Sequence, residues 1–210
     1  MLDNIEVLYH SSIRIKRDLV IYFDPFKINK EYNDADIIFI THNHYDHYSP
    51  EDIKKVRKKD TVVVAPIDLL DDLLLLLFVK ESIILVKPDE KYNVKGIGFK
   101  TIRAYNINKN FHLKEYNWVG YLVTIKDIIY YIAGDTDVTA ENKQVKCDVA
   151  FVPVGGTYTM DYKEAAKFVN EIKPKIAVPT HYGEVVGSKE DGKNFSRLLN
   201  SNIKYKIYIE

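Results

Sequence analysis

The chain has 210 residues, 46% of them hydrophobic, which suits one globular domain with a sizeable core and argues against a disordered protein. Thirty basic and thirty acidic residues give a formal net charge of zero, which argues against a protein that grips duplex nucleic acid through a basic face. The single cysteine, Cys147, excludes an internal disulfide and a zinc site made of several thiolates. We therefore expect one domain spanning residues 1–210.

The chain shows no sign of export or membrane insertion. Its start, Met1-Leu2-Asp3-Asn4, lacks the basic and then apolar pattern of a signal peptide. The longest apolar run, from Leu73 to Val79, is far shorter than the roughly 20 residues that cross a bilayer. We expect a soluble cytoplasmic protein with no membrane contact, and the oligomeric state, including a homo-oligomer, stays open.

The first part of the chain is predicted to form strands. Short segments rich in β-branched and aromatic residues predict strands at Ile5–Tyr9, Ile13–Lys16 and Val20–Phe23. Asp36–Thr41 is nearly continuous in apolar residues, which indicates a strand buried on both faces. Ser49, followed by a proline and two acidic residues, is typical of a helix start.

The middle of the chain mixes strands with one leucine-rich helix. Strands are predicted at Thr61–Ala65, Ile83–Val86 and Gly98–Ala104. Asp68–Val79 predicts a helix packed on the sheet, although its leucines are too dense to show a clear period. A polar, asparagine-rich loop is expected from Tyr105 to Asn117.

The last part alternates strands and helices. A strand is predicted at each of Val119–Ile125, Ile128–Ala133, Asp148–Val154, Ile176–Pro179 and Ile203–Ile209. One helix is predicted behind the capping pair Asp161 and Glu164 and ends at Pro174, and a second lies around Lys189–Leu199. Strands first, then strands alternating with helices, predict an α/β (α+β) protein with two sheets sandwiched between helices.

The segment after the predicted strand Asp36–Thr41 carries the strongest chemical signal. His42, His44, Asp46 and His47 fall within six residues, and imidazole and carboxylate are usual ligands of zinc and similar divalent ions. In an extended chain His42 and His44 share a side, while a turn can aim Asp46 and His47 at a second point nearby. Histidines can also cluster by chance on a solvated loop, but four potential ligands at one strand end favour a site for one or two metals.

Two further loops offer ligands of the same kind. Asp135 follows Gly134 at the end of the predicted strand Ile128–Ala133, and His181 follows the predicted strand Ile176–Pro179. Alone, Asp135 would be interpreted as a turn or cap residue and His181 as a hydrogen-bonded loop histidine. Together with the histidine-rich segment, they predict a metal site built from three loops.

The order His-x-His-x-Asp-His, then Gly-Asp, then a strand-ending histidine resembles the metallo-β-lactamase superfamily over nearly the whole chain. Tyr9-His10-Ser11-Ser12, Asp24-Pro25-Phe26 and the segment from Pro153 to Asp161 resemble the branch that contains ascorbate-6-phosphate lactonase and many uncharacterised prokaryotic hydrolases. The resemblance implies a four-layer αββα sandwich with its metals at one end of the two sheets.

The resemblance also implies a role for each ligand. It assigns His42 and His44 to a first metal, Asp46, His47 and His181 to a second, and Asp135 to a bridge between them. It further implies that Asp24 is a buried residue that holds the histidine-rich loop, whereas its place before a proline alone would indicate a turn residue.

One departure from the superfamily affects the first metal. The superfamily usually supplies another histidine from the loop after a mid-chain strand, but here that loop has Asn106, a poor zinc ligand. The first site is therefore weak, differently ligated or empty. His10 is interpreted as a metal or substrate ligand or else as a structural histidine, and His112 as a substrate contact or general acid in preference to a ligand.

We therefore predict a metal-dependent hydrolase that binds one or two divalent ions (zinc, manganese or nickel). A metal-bound hydroxide would attack a small ester, lactone or phosphodiester. Asp46 or Asp135 would orient the hydroxide or accept its proton, and His112 would assist at the substrate. Two alternatives stay open, namely a nuclease of the same fold and a metal-binding protein without activity.

Overall fold

The computed structural model describes residues 1–209 and contains two compact units. Leu2–Lys87 forms the N-terminal unit, and Met1 with the chain from Pro88 onward forms the C-terminal unit. Each unit is built on one sheet with helices. Two sheets with helices confirm the predicted α/β class, while the single-domain organisation stays a prediction.

The N-terminal unit holds a six-stranded sheet whose spatial order follows the chain. The strands pair antiparallel from the first to the third and parallel from the third to the sixth. They are β1 (Ile5–Tyr9), β2 (Ser12–Lys16), β3 (Val20–Phe23), β4 (Ala35–Phe39), β5 (Arg57–Pro66) and β6 (Ile83–Val86). The helices are α1 (Pro50–Val56) and α2 (Leu70–Leu75), with single 3₁₀ turns at Ile67–Leu69 and Lys80–Ser82.

The two helices of this unit cover an apolar face of the sheet. Ile38 of β4, Ile53 and Val56 of α1 and Leu73 of α2 belong to one buried cluster. Each of these side chains is fully excluded from solvent, and burying one contributes about 1.5–3 kcal/mol to folding. This face is on the parallel part of the sheet, where crossover helices normally pack.

Helix α2 is shorter than the sequence predicts. A helix over Asp68–Val79 was expected, but the α-helix spans Leu70–Leu75 and Leu77 then adopts a left-handed backbone with φ 62°. Leu73 is buried, whereas Leu75 and Leu77 are 79% and 80% exposed. The predicted packing on the sheet is confirmed and the predicted length is wrong, because an unbroken run of leucines places several of them on the solvent side of any helix.

The C-terminal unit holds a seven-stranded sheet in the order β13-β12-β11-β10-β9-β8-β7. Strands β7 to β10 pair antiparallel, and β10 to β13 pair parallel. They are β7 (Lys91–Val94), β8 (Ile97–Arg103), β9 (Val119–Ile125), β10 (Ile128–Ile132), β11 (Val149–Pro153), β12 (Ile176–Thr180) and β13 (Lys204–Tyr205). The helices are α3 (Tyr162–Ile172) and α4 (Asp191–Arg197), with 3₁₀ turns at Lys114–Tyr116 and Asn142–Gln144.

Helix α3 begins and ends where the sequence predicts. The Asp161 side chain accepts hydrogen bonds from the backbone N–H groups of Lys163 and Glu164, and the Glu164 side chain accepts one from the backbone N–H of Asp161. This reciprocal capping box satisfies donors that the first turn leaves open. At the other end Lys173 turns left-handed just before Pro174, which cannot continue the helix.

At the sheet edges one strand was not predicted and one was predicted too long. Lys91–Val94 forms β7 and was not predicted, because two of its four side chains are exposed and polar. The last strand was expected over Ile203–Ile209, but β13 contains Lys204 and Tyr205 alone. Among the described residues, no helix is long and apolar enough to cross a membrane.

The start of α1 is fixed by the carboxylate of Asp52. The Ser49 side chain caps the helix, as predicted, and its hydroxyl donates to Asp52 at 2.7 Å. Asp52 also accepts from the backbone N–H groups of Lys27 and Ile28 at 2.8 and 3.0 Å and from the Lys55 ammonium at 2.8 Å. Burial alone would raise the pKa of Asp52, but these hydrogen bonds outweigh it and hold the pKa below its ordinary value.

We expect Asp52→Ala to lower the free energy of unfolding by about 2–3 kcal/mol, because it leaves two backbone donors without their acceptor. The pKa of Asp52 is lower in the folded state than its unfolded value of about 3.9, so the carboxylate stabilises the fold above that value and this contribution is lost as the pH falls through the folded-state pKa. Urea unfolding at pH 7 and in acid measures both effects. Glu51, the exposed neighbour of Asp52, supplies the control. Glu51→Gln should change the free energy of unfolding by no more than about 0.5 kcal/mol.

Candidate metal centre

Several of the potential ligands, and Asp24 beside them, lie just beyond the carboxyl ends of parallel strands. In the N-terminal unit Asp24 follows β3 directly, and His42 lies three residues beyond the end of β4. In the C-terminal unit Asp135 lies three residues beyond the end of β10, and His181 follows β12 directly. Polar groups gather at such ends because the loops there leave the sheet on the same side.

All six histidines of the chain belong to two clusters of metal-ligand side chains. Five of them are buried and His44 is half-buried, although histidine is a residue of intermediate burial in proteins. The first cluster, in the N-terminal unit, consists of His10, His42, His44, Asp46 and His47. The second cluster, in the C-terminal unit, consists of His112, Asp135 and His181.

In the first cluster, Asp46 lies between two histidines. Its Oδ2 is 3.3 Å from Nε2 of His10 and 3.8 Å from Nε2 of His47. One ligand atom from each of these three residues lies within 4.8 Å of the other two. Three nitrogen and oxygen donors around one point can hold a divalent ion.

His42 and His44 lie together beside this group. Nε2 of His42 is 3.2 Å from Nδ1 of His44, so the two imidazoles share a side of the loop, as the alternation of an extended chain predicts. The ring centroids of His42 and His47 are 4.1 Å apart. The first cluster therefore contains a histidine pair next to a histidine and aspartate group.

Asp24 holds the histidine-rich loop from within the N-terminal unit. Its carboxylate accepts hydrogen bonds from the backbone N–H and the hydroxyl of Thr41 at 2.8 and 2.7 Å, and Nδ1 of His47 lies 2.8 Å away. Burial raises the pKa of Asp24, and the facing His47 opposes that rise. The carboxylate thus fixes the orientation of the His47 ring, as the resemblance implies. The position of Asp24 before a proline indicates only a turn.

The second cluster is centred on one oxygen of Asp135. Oδ2 of Asp135 is 3.0 Å from Nε2 of His181 and 3.3 Å from Nε2 of His112. All three side chains are at most 4% exposed. The structure thus groups His112 with Asp135 and His181, and it places Asn106 next to His112.

Three of the residues at these sites have a strained backbone. His10, Asp24 and His181 adopt left-handed conformations with φ of 51°, 45° and 56°. Residues other than glycine adopt such values infrequently, at a cost of the order of 1–3 kcal/mol each. The backbone of His181 also packs closely against Gly155. A Cβ at position 155 would lie 2.2 Å from the His181 carbonyl oxygen, so only glycine fits there.

A family model described as the β-lactamase superfamily domain matches residues 4–181. The chain belongs to the metallo-β-lactamase superfamily. It is 30% identical to a UPF0173 metal-dependent hydrolase of Thermoplasma acidophilum, over all of this chain and 97% of that one. It is 28% identical to a UPF0173 metal-dependent hydrolase of Pyrococcus horikoshii, over 97% of this chain and 95% of that one.

A solved structure supports the same relationship. The crystal structure of a candidate metal-dependent hydrolase from Parabacteroides distasonis matches with a TM-score of 0.81 and 30% identity, over 98% of this chain and 93% of that one. The predictions of the superfamily, its fold and a metal-dependent hydrolase are thereby confirmed. The closer resemblance to the lactonase branch stays a prediction.

We expect Asp24→Asn to destabilise the N-terminal unit by about 1–3 kcal/mol, because an amide has one acceptor oxygen in place of two. Either the backbone N–H of Thr41, or the Thr41 hydroxyl with Nδ1 of His47, would then face its NH₂ group. Urea unfolding in the presence of a chelator isolates this effect from metal binding. The exposed carboxylate of Asp18 supplies the matched control, and Asp18→Asn should unfold like the parent chain. Equal stability of the Asp24 and Asp18 variants would mean that Asp24 does not hold the loop.

Proposed function

We propose that the histidine and aspartate side chains of these clusters bind one or two divalent ions, and that the chain uses the bound metal to hydrolyse a small ester, lactone or phosphodiester. The observation that carries the proposal is that all six histidines and two aspartates lie in two clusters, buried except for the half-buried His44, in a member of a hydrolase superfamily. A purely structural role would not require all six histidines to lie in these clusters.

The chemistry of these donors suits zinc, manganese or nickel. The eight side chains offer imidazole nitrogen and carboxylate oxygen, which are ligands that these ions accept. Thiolate is not among them, because Cys147 is half-buried and burial raises the pKa of its thiol to about 12. The donor set therefore fits a divalent ion that does not depend on sulfur.

The proposed assignment follows the superfamily pattern. His42 and His44 would hold one ion, Asp46, His47 and His181 would hold the other, and Asp135 would contact both. His10 lies 3.3 Å from Asp46 and is proposed as a further ligand on that side.

A divalent ion held by these residues would supply Lewis-acid chemistry, which makes water acidic enough to act as a nucleophile near neutral pH. Asp46 or Asp135 would orient the attacking water and accept its proton, since each carboxylate lies beside histidine nitrogens in a buried setting. Asp24 would keep His47 in one orientation during turnover through the hydrogen bond to Nδ1. For His112 the sequence favoured a substrate contact or general acid.

The choice of substrate class rests on the resemblance of the Tyr9-His10-Ser11-Ser12 segment to the lactonase branch, together with the zero net charge. A small molecule is the proposed partner, since a nuclease would be expected to carry basic surface for the phosphate backbone. A nuclease and an inactive metal-binding protein are the alternative outcomes of the experiment below.

We expect about one or two ions per chain by mass spectrometry after purification without chelator. The chain should hydrolyse bis(p-nitrophenyl) phosphate or members of a lactone panel in the presence of Zn²⁺, Mn²⁺ or Ni²⁺, and a chelator should abolish turnover. Asp46→Asn and Asp135→Asn should each lower kcat by about 10²–10⁴-fold, because each removes a proton acceptor and a ligand. Asp60→Asn, at a carboxylate 71% exposed, should leave kcat unchanged.

Bound metal with no turnover on any of these substrates would favour the inactive metal-binding protein. Cleavage of single-stranded or duplex nucleic acid with steep salt dependence would favour the nuclease. Absence of both metal and turnover would contradict the proposal as a whole.

A further inference from the structure

Asn106 and His112 close a loop on each other in the C-terminal unit. The backbone N–H of Asn106 donates to the carbonyl oxygen of His112 at 2.8 Å. The backbone N–H of His112 donates in return to Oδ1 of Asn106 at 3.1 Å. Both residues are buried, at 7% and 1% exposure, so this pair of bonds fixes the His112 backbone within the fold.

These contacts fix which way the Asn106 amide points. Nδ2 of Asn106 donates to the carbonyl oxygen of Tyr158 at 2.9 Å. A backbone N–H can only donate and a backbone carbonyl can only accept, so exchanging Oδ1 and Nδ2 would break both the Tyr158 and the His112 contact. Oδ1 therefore faces His112 as an acceptor.

The fixed amide in turn determines the tautomer of His112. Nδ1 of His112 lies 3.1 Å from the same Oδ1 of Asn106. Since Oδ1 has no proton to give, Nδ1 carries the proton of the imidazole ring and donates it to this oxygen. In the neutral ring the lone pair then resides on Nε2.

Nε2 of His112 points at a carboxylate. It lies 3.3 Å from Oδ2 of Asp135, the oxygen that Nε2 of His181 approaches at 3.0 Å. A nitrogen lone pair facing a carboxylate oxygen is repulsive unless a cation, either a second ring proton or a metal ion, lies with them. Histidines that bind metals characteristically donate the other ring N–H to an oxygen acceptor, which is the arrangement of His112 on Asn106.

The first cluster contains the same arrangement independently. His47 directs Nδ1 at the carboxylate of Asp24 at 2.8 Å and Nε2 towards Asp46 at 3.8 Å. In both cases an oxygen acceptor holds Nδ1, and Nε2 faces the carboxylate of a proposed metal ligand.

We propose that His112 binds the metal through Nε2, and that Asn106 is a positioning residue that fixes the tautomer and the ring orientation of His112. This inference rests on the metal centre proposed above. The asparagine takes no part in ligation itself, and the ligand is instead supplied six residues later on the same loop. The chain thereby completes its centre without a histidine at position 106.

The first test measures Zn²⁺ affinity by competition with a chromogenic chelator, for the parent chain and three variants. His112→Ala removes the proposed ligand and should weaken Zn²⁺ binding. Asn106→Leu should weaken the Zn²⁺ affinity of the site that His112 serves by about 10–100-fold, as loss of a residue that orients a ligand does. Asn110→Ala, at an exposed asparagine of the same loop, is the matched control and should bind Zn²⁺ like the parent chain.

Asn106→Asp separates positioning from a merely structural role. Its carboxylate still accepts from the backbone N–H and Nδ1–H of His112, but it loses the donor to Tyr158. We expect this variant to lose stability in urea and to keep most of its Zn²⁺ affinity, with Asn106→Leu losing both. Equal loss of affinity in the two Asn106 variants would overturn the positioning role, and unchanged affinity in a folded His112→Ala would overturn ligation.

A second measurement needs no variant and covers the case in which His112→Ala does not fold. In the ¹⁵N-histidine-labelled parent chain, long-range ¹H–¹⁵N spectra should show His112 protonated at Nδ1, with its Nε2 resonance shifting on addition of Zn²⁺. A His112 that keeps a proton on Nε2 in the Zn²⁺-loaded chain would overturn the inference while leaving the metal centre intact. A parent chain that binds no Zn²⁺ would overturn both.

Discussion

The carboxylate of Asp24 is the contact on which the histidine-rich loop depends. It lies at the end of β3 and binds Thr41, just beyond β4, through both the backbone N–H and the hydroxyl, and it also binds the ring of His47. A buried carboxylate is costly unless each oxygen is hydrogen-bonded. Its burial therefore favours the observed position of the loop, in which Thr41 and His47 satisfy both oxygens.

In both clusters an oxygen acceptor fixes the orientation of a histidine ring, but the acceptor differs. A carboxylate holds Nδ1 of His47, and a neutral amide holds Nδ1 of His112. Each acceptor removes rotational freedom from a ring before any ion binds, which lowers the entropy that binding must overcome. The backbone strain at His10, Asp24 and His181 is a further cost of placing side chains in this way.

Sequence patterns predicted the features that depend on local contacts. Ser49 and the pair Asp161 and Glu164 mark helix starts by hydrogen bonds that span three residues, and these were identified from the sequence. The segment of candidate ligands His42–His47 was equally visible, since its residues are neighbours in the chain. The family resemblance extended this to the order of the other candidate ligands.

Features that depend on distant contacts could not be derived in this way. Asp24 reaches His47 across 23 positions, and Asn106 reaches Tyr158 across 52. The same limit applies to β7, whose four residues pair antiparallel with β8 despite a polar sequence. In each case the decisive partner is supplied by the fold, and local composition indicates only a turn or a loop.

We propose that the histidine and aspartate side chains of the two clusters bind divalent ions. Crystals grown with Zn²⁺ and measured on both sides of the zinc absorption edge would test it most directly, because anomalous peaks locate the ions independently of any coordinates. We expect one or two peaks whose ligands belong to these clusters, at about 2.0–2.2 Å from histidine nitrogens and carboxylate oxygens. Ions bound elsewhere on the chain, or the absence of any anomalous peak, would contradict this proposal.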